Sequence, residues 1–169
     1  MIIISIKEQK LYLYNAQHAL IVTYPISSSK YGIGQTENTN KTPLGLHRIS
    51  QKIGADAAIN SVFIGRKFTG EIYSEQLAQE NPHRDWILSR ILRLSGMEVG
   101  FNIEGKVDTF KRYIYIHGCP DSASFERPGS IGCIRMRNND IIKLAAAVDE
   151  NDLVYITYFA LSKELGLPV

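Results

Sequence analysis

Cysteine is scarce in this sequence, with two residues, Cys119 and Cys133, among 169. A chain of that length needs no disulfide framework, so each is read as a reactive or a buried thiol, not as half of a structural bridge. Charge of one sign is also missing. The 19 Lys and Arg against 17 Asp and Glu leave a formal net charge of +2, with Lys111-Arg112 and Arg135/Arg137 as close basic pairs. That is too little and too scattered for a nucleic-acid-binding stripe, and no nucleic-acid partner is expected. No apolar run approaches the roughly 20 residues of a membrane span, so no membrane partner is expected either. The opening Met1-Ile2-Ile3-Ile4-Ser5-Ile6-Lys7-Glu8 has neither a basic start nor a small-residue cleavage pattern. The expectation is a cytoplasmic protein, or a periplasmic one if the sequence is a processed form.

What is present is the composition of one globular domain over 1–169: 44% hydrophobic and 21% charged residues, with no polar low-complexity tract. A chain of this size can bury roughly two thirds of its unfolded surface in one core. The pattern is mostly β. Ile2 to Ile6, Lys10 to Tyr14 and Leu20 to Ile26 read as strands, with Asn15-Ala16-Gln17-His18 as a hairpin loop. Ser27 to Thr42, rich in Ser, Gly, Asn and Thr, reads as a long surface loop. Further strands are expected at Gly45 to Ser50, Val62 to Ile64 and Glu71 to Tyr73, the last two flanking a turn from Gly65 to Gly70. A helix is expected next: Asn81 as N-cap, Pro82 in the first turn, Ile87, Ile91 and Leu94 at i, i+4 and i+7, and Gly96 as terminator. Tyr113 to Ile116 should be a strand ending at His117. A second helix should begin near Asn139 with Ile141, Ile142, Ala145 and Val148 on its apolar face, and Asp152 to Tyr158 should close the domain as a strand. The fold class is mainly β with about two helices.

The chemistry concentrates in Tyr115-Ile116-His117-Gly118-Cys119-Pro120 and Pro128-Gly129-Ser130-Ile131-Gly132-Cys133-Ile134-Arg135-Met136. A thiol attacks as thiolate, and a free pKa near 8.5 leaves little of it ionised at neutral pH. It needs a base, and histidine both accepts that proton and can return it to a leaving amine. His117 and Cys133 stand 16 residues apart, each beside a glycine. Gly132 permits a sharp turn that could aim the Gly132 and Cys133 amides at an oxyanion, and the Gly118 carbonyl could orient the imidazole. The alternative reading is a buried inert thiol and an unrelated surface histidine.

His117-Gly118 followed by Ser130-x-Gly132-Cys133-Ile134-Arg135-Met136 resembles the signature of the L,D-transpeptidase (YkuD-type) family. Gln9 to Tyr14 is similar to the family's opening hairpin, Lys41-Thr42-Pro43-Leu44-Gly45 to its Thr-Pro-x-Gly element, and Val107 through Ile116 to its approach to the histidine. The resemblance implies a β-sandwich-like catalytic core and a thioester formed by Cys133 on a peptidoglycan tetrapeptide stem. His117 would serve as base and acid, Gly118 as its orienter, and the Gly132 and Cys133 amides as oxyanion donors. Ser130, Arg135 and Ile131 would border the substrate, with Arg135 meeting a carboxylate or forming a structural ion pair. No metal or organic cofactor is implied. Ile131 stands where relatives have histidine, and Cys119 where they often have threonine; Cys119 reads as a packed small residue. His18, His47 and His83 read as surface or structural residues, with His47 near enough to the Thr-Pro-x-Gly element to border the pocket. By elimination, Ser27 to Thr42 and Gln51 to Gly100 are the expected cleft walls.

Water attacking such a thioester gives an L,D-carboxypeptidase that releases D-alanine during muropeptide recycling, and an amine gives a cross-link or an exchanged D-amino acid. The lack of an export signal favours the first. A muropeptide-binding module is the non-catalytic alternative, though binding alone would not need an intact Cys133 and His117.

Overall fold

In a computed structural model that describes residues 1–161, ten strands and two α-helices are formed among the described residues. Strands β1 (Ile2–Ser5), β2 (Lys10–Tyr14) and β3 (Leu20–Pro25) form an antiparallel meander, and β4 (Gly45–Ile53) follows the long connection. The hairpin β5 (Ser61–Ile64) and β6 (Lys67–Ile72) leads into a short helix α1 (Glu75–Glu80), then β7 (Ile87–Gly96) and β8 (Tyr115–Cys119). Strand β9 (Ile134–Arg137) runs directly into α2 (Asn138–Ala147), and β10 (Leu153–Thr157) returns to pair in parallel with β1. The sheet order is β3-β2-β1-β10-β4-β7-β5-β6, with β8 on β7 and β9 on β8.

The sheet curls back on itself. Just past β3, Ser27 and Arg135 exchange backbone hydrogen bonds of 3.0 and 2.9 Å, which joins the meander to β9 at the far end of the strand order. The main core fills the curl: Ile2, Ile4, Leu11, Leu92, Leu94, Ile116, Ile134 and Met136 are fully buried, and α2 adds Ile141 and Leu144. Each such side chain contributes about 1.5–3 kcal/mol by leaving water. The expected apolar face of α2 thus holds, except that Leu144 is buried and Ile142 only half-buried.

The expected helix from Asn81 to Gly96 is instead β7, the strand that β4, β5 and β8 all pair with. It is buried almost throughout. A strand covered on both faces carries apolar residues without alternation, so Ile87, Ile91 and Leu94 fit a helical spacing and a central strand equally well. Asn81 and Pro82 belong to the end of α1: the Asn81 amide donates to Ala78 O and its side chain to Leu77 O, while Ser74 is the N-cap. His83 follows on an exposed turn. The turn expected from Gly65 to Gly70 narrows to Gly65-Arg66, because β6 begins at Lys67. The Ser27 to Thr42 segment is not simply surface loop, since Ser27, Ser28, Ser29 and Thr42 are fully buried. His47 lies in the interior, its ring bonded to Gly45 O and Thr109 Oγ1, and burial pushes its pKa down to about 4.

Gly118 is fixed by close approach. A Cβ there would stand 2.5 Å from the Leu88 carbonyl of β7 and 2.8 Å from Asn138 Oδ1. Asn138 also accepts from Ser89 Oγ and donates to Cys119 O, tying α2 to the end of β8. Gly118→Ala is expected to destabilise the protein by about 1–3 kcal/mol, read as a lower midpoint in urea; an unchanged midpoint would show that β8 moves off β7 without strain.

Candidate active site

Strands β8 and β9 run parallel, with Ile116 opposite Ile134 and His117 opposite Arg135. Continuing that register back one residue sets Cys133 beside Tyr115, and the Tyr115 amide donates to Cys133 Sγ at 3.4 Å. Side chains two apart on a strand share a face, so Tyr115 and His117 project to one side of β8. Tyr115 belongs to a second apolar cluster with Phe63 and Ile91, against which Cys133 packs. The half-buried thiol therefore lies outside the main core.

His117 is buried, and its Nδ1 is 2.7 Å from Gly118 O. A carbonyl only accepts, so Nδ1 carries the proton and Nε2 is the basic nitrogen. The thiol donates to Tyr113 O at 3.4 Å.

Gly132 has φ of +133°, a region that side chains other than hydrogen rarely enter. Ser130 holds this turn from both sides: its Oγ accepts from the Gly132 amide at 3.2 Å and donates to Cys133 O at 2.6 Å. The Gly132 amide is thus already engaged, and among the described residues the Cys133 amide has no acceptor, which leaves it as the donor open to an oxyanion. Thr42 Oγ1 donates to Gly132 O at 2.9 Å and accepts from the Ser29 amide. Backbone bonds from Lys30 to Ser130 O and from Ser130 to Ser28 O complete the seam. Arg112 holds the outer loop through Gly34 O, Gln35 O and Lys41 O. Ile131 is 46% exposed and borders a cavity of about 220 Å³ with Asn38, Asn40, Lys111 and Tyr113.

On the other side Arg135 donates to Asp85 Oδ1 at 2.6 Å, an ion pair, and to Gly129 O at 3.1 Å, which braces the loop before Cys133. Cys119 is buried, its thiol directed at Met136 O, with a pKa pushed up to about 12 by burial. Sequence reasoning missed Asp85, Arg66, Tyr115 and the part played by Arg112. Arg66, at the tip of the β5–β6 hairpin, donates to Tyr115 Oη at 3.0 Å and stacks on Tyr113, which sets the hairpin as one wall of the cleft. The Gln51 to Gly100 segment divides accordingly, because β7 is cleft floor. Arg66 and Asp85 lie far from the motif along the chain, and only the register signals them.

Burial raises the Cys133 pKa to about 12, opposed by the Tyr115 amide, raised further by Asp85 and lowered by Arg135 and Arg112. Burial also pushes His117 below its ordinary value, against the pull of Asp85 and the Gly118 carbonyl. Both groups are therefore neutral at neutral pH. Alkylation of Cys133 by iodoacetamide, followed by mass spectrometry from about pH 6 to pH 10, is expected to accelerate throughout and to be faster in Asp85→Asn. A plateau below about pH 8 would mean a resting thiolate–imidazolium pair.

No curated protein matches by sequence. Among solved structures, an L,D-transpeptidase from Mycobacterium smegmatis is 13% identical with a TM-score of 0.55, over 92% of this chain and 57% of that one. Bd1075 of Bdellovibrio bacteriovorus is 18% identical with a TM-score of 0.57, over 96% and 50%. An Enterococcus faecium L,D-transpeptidase is 13% identical with a TM-score of 0.54, over 92% and 48%. The chain thus shares its fold with these proteins and spans 48–57% of their lengths. The YkuD family, the L,D-transpeptidase catalytic domain, matches residues 1–156, a stretch that begins before β1, ends within β10 and holds every residue of the site, and the chain belongs to that family.

Proposed function

We propose that this enzyme forms a thioester between Cys133 and the third residue of a peptidoglycan tetrapeptide stem, and that water resolves it, making the protein an L,D-carboxypeptidase of muropeptide recycling. The observation that carries the reading is the His117 Nδ1 bond to Gly118 O, which presents a neutral imidazole on the face of β8 beside which Cys133 sits. The Cys133 proton passes to His117 Nε2 as sulfur attacks the carbonyl. The oxyanion takes the Cys133 amide, and collapse expels the D-alanine amine with the proton from His117. Water then yields a proton to His117 while it attacks the thioester, and the proton returns to sulfur.

Hydrolysis is supported by the size of the flanking spaces, about 220 Å³ beside Ile131 and about 290 Å³ beside Asp85. Both fall below the roughly 300–1,000 Å³ usual for a whole ligand site. Cross-linking, which must admit a second stem, is the second reading. It is favoured by a larger space of about 580 Å³ between the β5–β6 hairpin and residues 53–58.

Incubation with a disaccharide tetrapeptide, alone and with an added amine acceptor, is expected to yield tripeptide and D-alanine as the main products by mass spectrometry. Cys133→Ala should abolish release, and His117→Gln should slow it by roughly 10²-fold or more. A cross-linked dimer as the dominant product would favour the second reading, and intact tetrapeptide bound equally by wild type and Cys133→Ala would leave a binding module.

A further inference from the structure

The cavity of about 290 Å³ is lined by Tyr73, Arg84, Asp85, Trp86, Arg135 and the turn from Cys119 to Ala123. Two of these residues, Asp85 and Arg135, form the ion pair beside the His117 register, and Cys119-Pro120 continues β8 directly past His117. The cavity therefore opens on the imidazole side of the nucleophile. An amine leaving the tetrahedral intermediate must depart on that side, because it takes its proton from the imidazole.

Its chemistry is that of a site for both charges of a small molecule. Arg84 gives its two terminal nitrogens to Glu71 at 3.2 and 2.6 Å, and its guanidinium stacks on Trp86 at 4.6 Å. Its Nε is buried and has no partner among the described residues. Each terminal nitrogen keeps a second N–H beyond its bond to Glu71, and a carboxylate entering the cavity that Arg84 lines would accept from it. Asp85 offers the opposite charge at the same wall. The edge-packed rings of Tyr73 and Trp86, 5.1 Å apart, with Ser122 and Ala123 opposite, leave room for a short side chain.

We propose that this cavity is the subsite for the leaving amino acid, with Arg84 reading its free carboxylate as a specificity-determining residue. The assignment rests on the acyl-transfer reading above and deepens it: the group released is a small zwitterion, and cleavage requires a free C-terminal carboxylate. The same subsite accepts a free amino acid for the reverse step. Its neutral amine attacks the thioester carbonyl, the C–N bond forms as the C–S bond breaks, and the amine proton passes through His117 to sulfur.

The experiment compares release from a tetrapeptide ending in free D-alanine with release from the same peptide ending in D-alaninamide. In the wild type the amide is expected to lose roughly tenfold or more in kcat/KM. Arg84→Gln should lose a similar factor on the acid, chiefly through KM, and little on the amide, while Arg84→Lys recovers part of the preference. Ala123→Trp, which fills the cavity from its rim, should abolish incorporation of isotope-labelled D-alanine while iodoacetamide still labels Cys133, so the outcome does not hang on Arg84 variants folding. Equal kcat/KM for acid and amide in the wild type would overturn the subsite and spare the carboxypeptidase reading. Absence of release from either peptide would overturn both.

Discussion

The parallel pairing of β8 with β9 is the interaction on which the rest of the molecule turns. Two strands joined by only fourteen residues, from Pro120 to Cys133, cannot pair in parallel without a connection that leaves the sheet and comes back. That connection is the loop from Pro120 to Cys133, and its return is what brings the thiol beside Tyr115, two residues before His117 and on the same face of β8. The loop has to be held from outside, because it has little apolar surface to bury. Ser28 and Lys30 bond it at Ser130 and Gly129, Thr42 at Gly132, and Asp85 through Arg135. The same seam joins β3 to β9 and closes the curl around the main core, so geometry at Cys133 and stability of the domain share one set of hydrogen bonds.

That arrangement sets the electrostatics. Cys133 packs on Phe63, Ile91 and Tyr115, where ionisation is unfavourable, and His117 is buried deeply enough to stay uncharged. A resting thiolate would need full solvation or a close cation. The nearby guanidiniums, Arg112 and Arg135, are committed to loop carbonyls and to Asp85. The pair therefore rests as thiol and imidazole.

Much of the strand pattern was legible along the chain, because β1, β2, β3 and β10 each carry short apolar or alternating runs bounded by turn residues. The ten-residue β7 was not. Its apolar positions fit both periods, and Asn81-Pro82 imitates a helix start while actually ending α1. Only its three strand partners decide the matter. The Ser27 to Thr42 segment misleads for a related reason: serine and threonine read as solvent-facing, yet here Ser27 Oγ donates to Arg127 O, Ser28 Oγ accepts from Gln9 Nε2, Ser29 Oγ donates to Asn40 O and Thr42 Oγ1 donates to Gly132 O. Polar residues buried in pairs look the same in sequence as polar residues in water.

The sequence by itself picked out Cys133, His117 and the two glycines beside them as a candidate site, since a thiol, an imidazole and the backbone freedom around them are local chemical properties. Tertiary structure decided what those groups can do. It chose Gly118 because β7 passes within contact of its Cα, spent the Gly132 amide on Ser130, turned Arg135 toward Asp85 and placed Arg84 and Arg66 beside a motif dozens of residues away. Those outcomes depend on register between distant strands, which is set by burial of the whole sheet rather than by any residue's own preference.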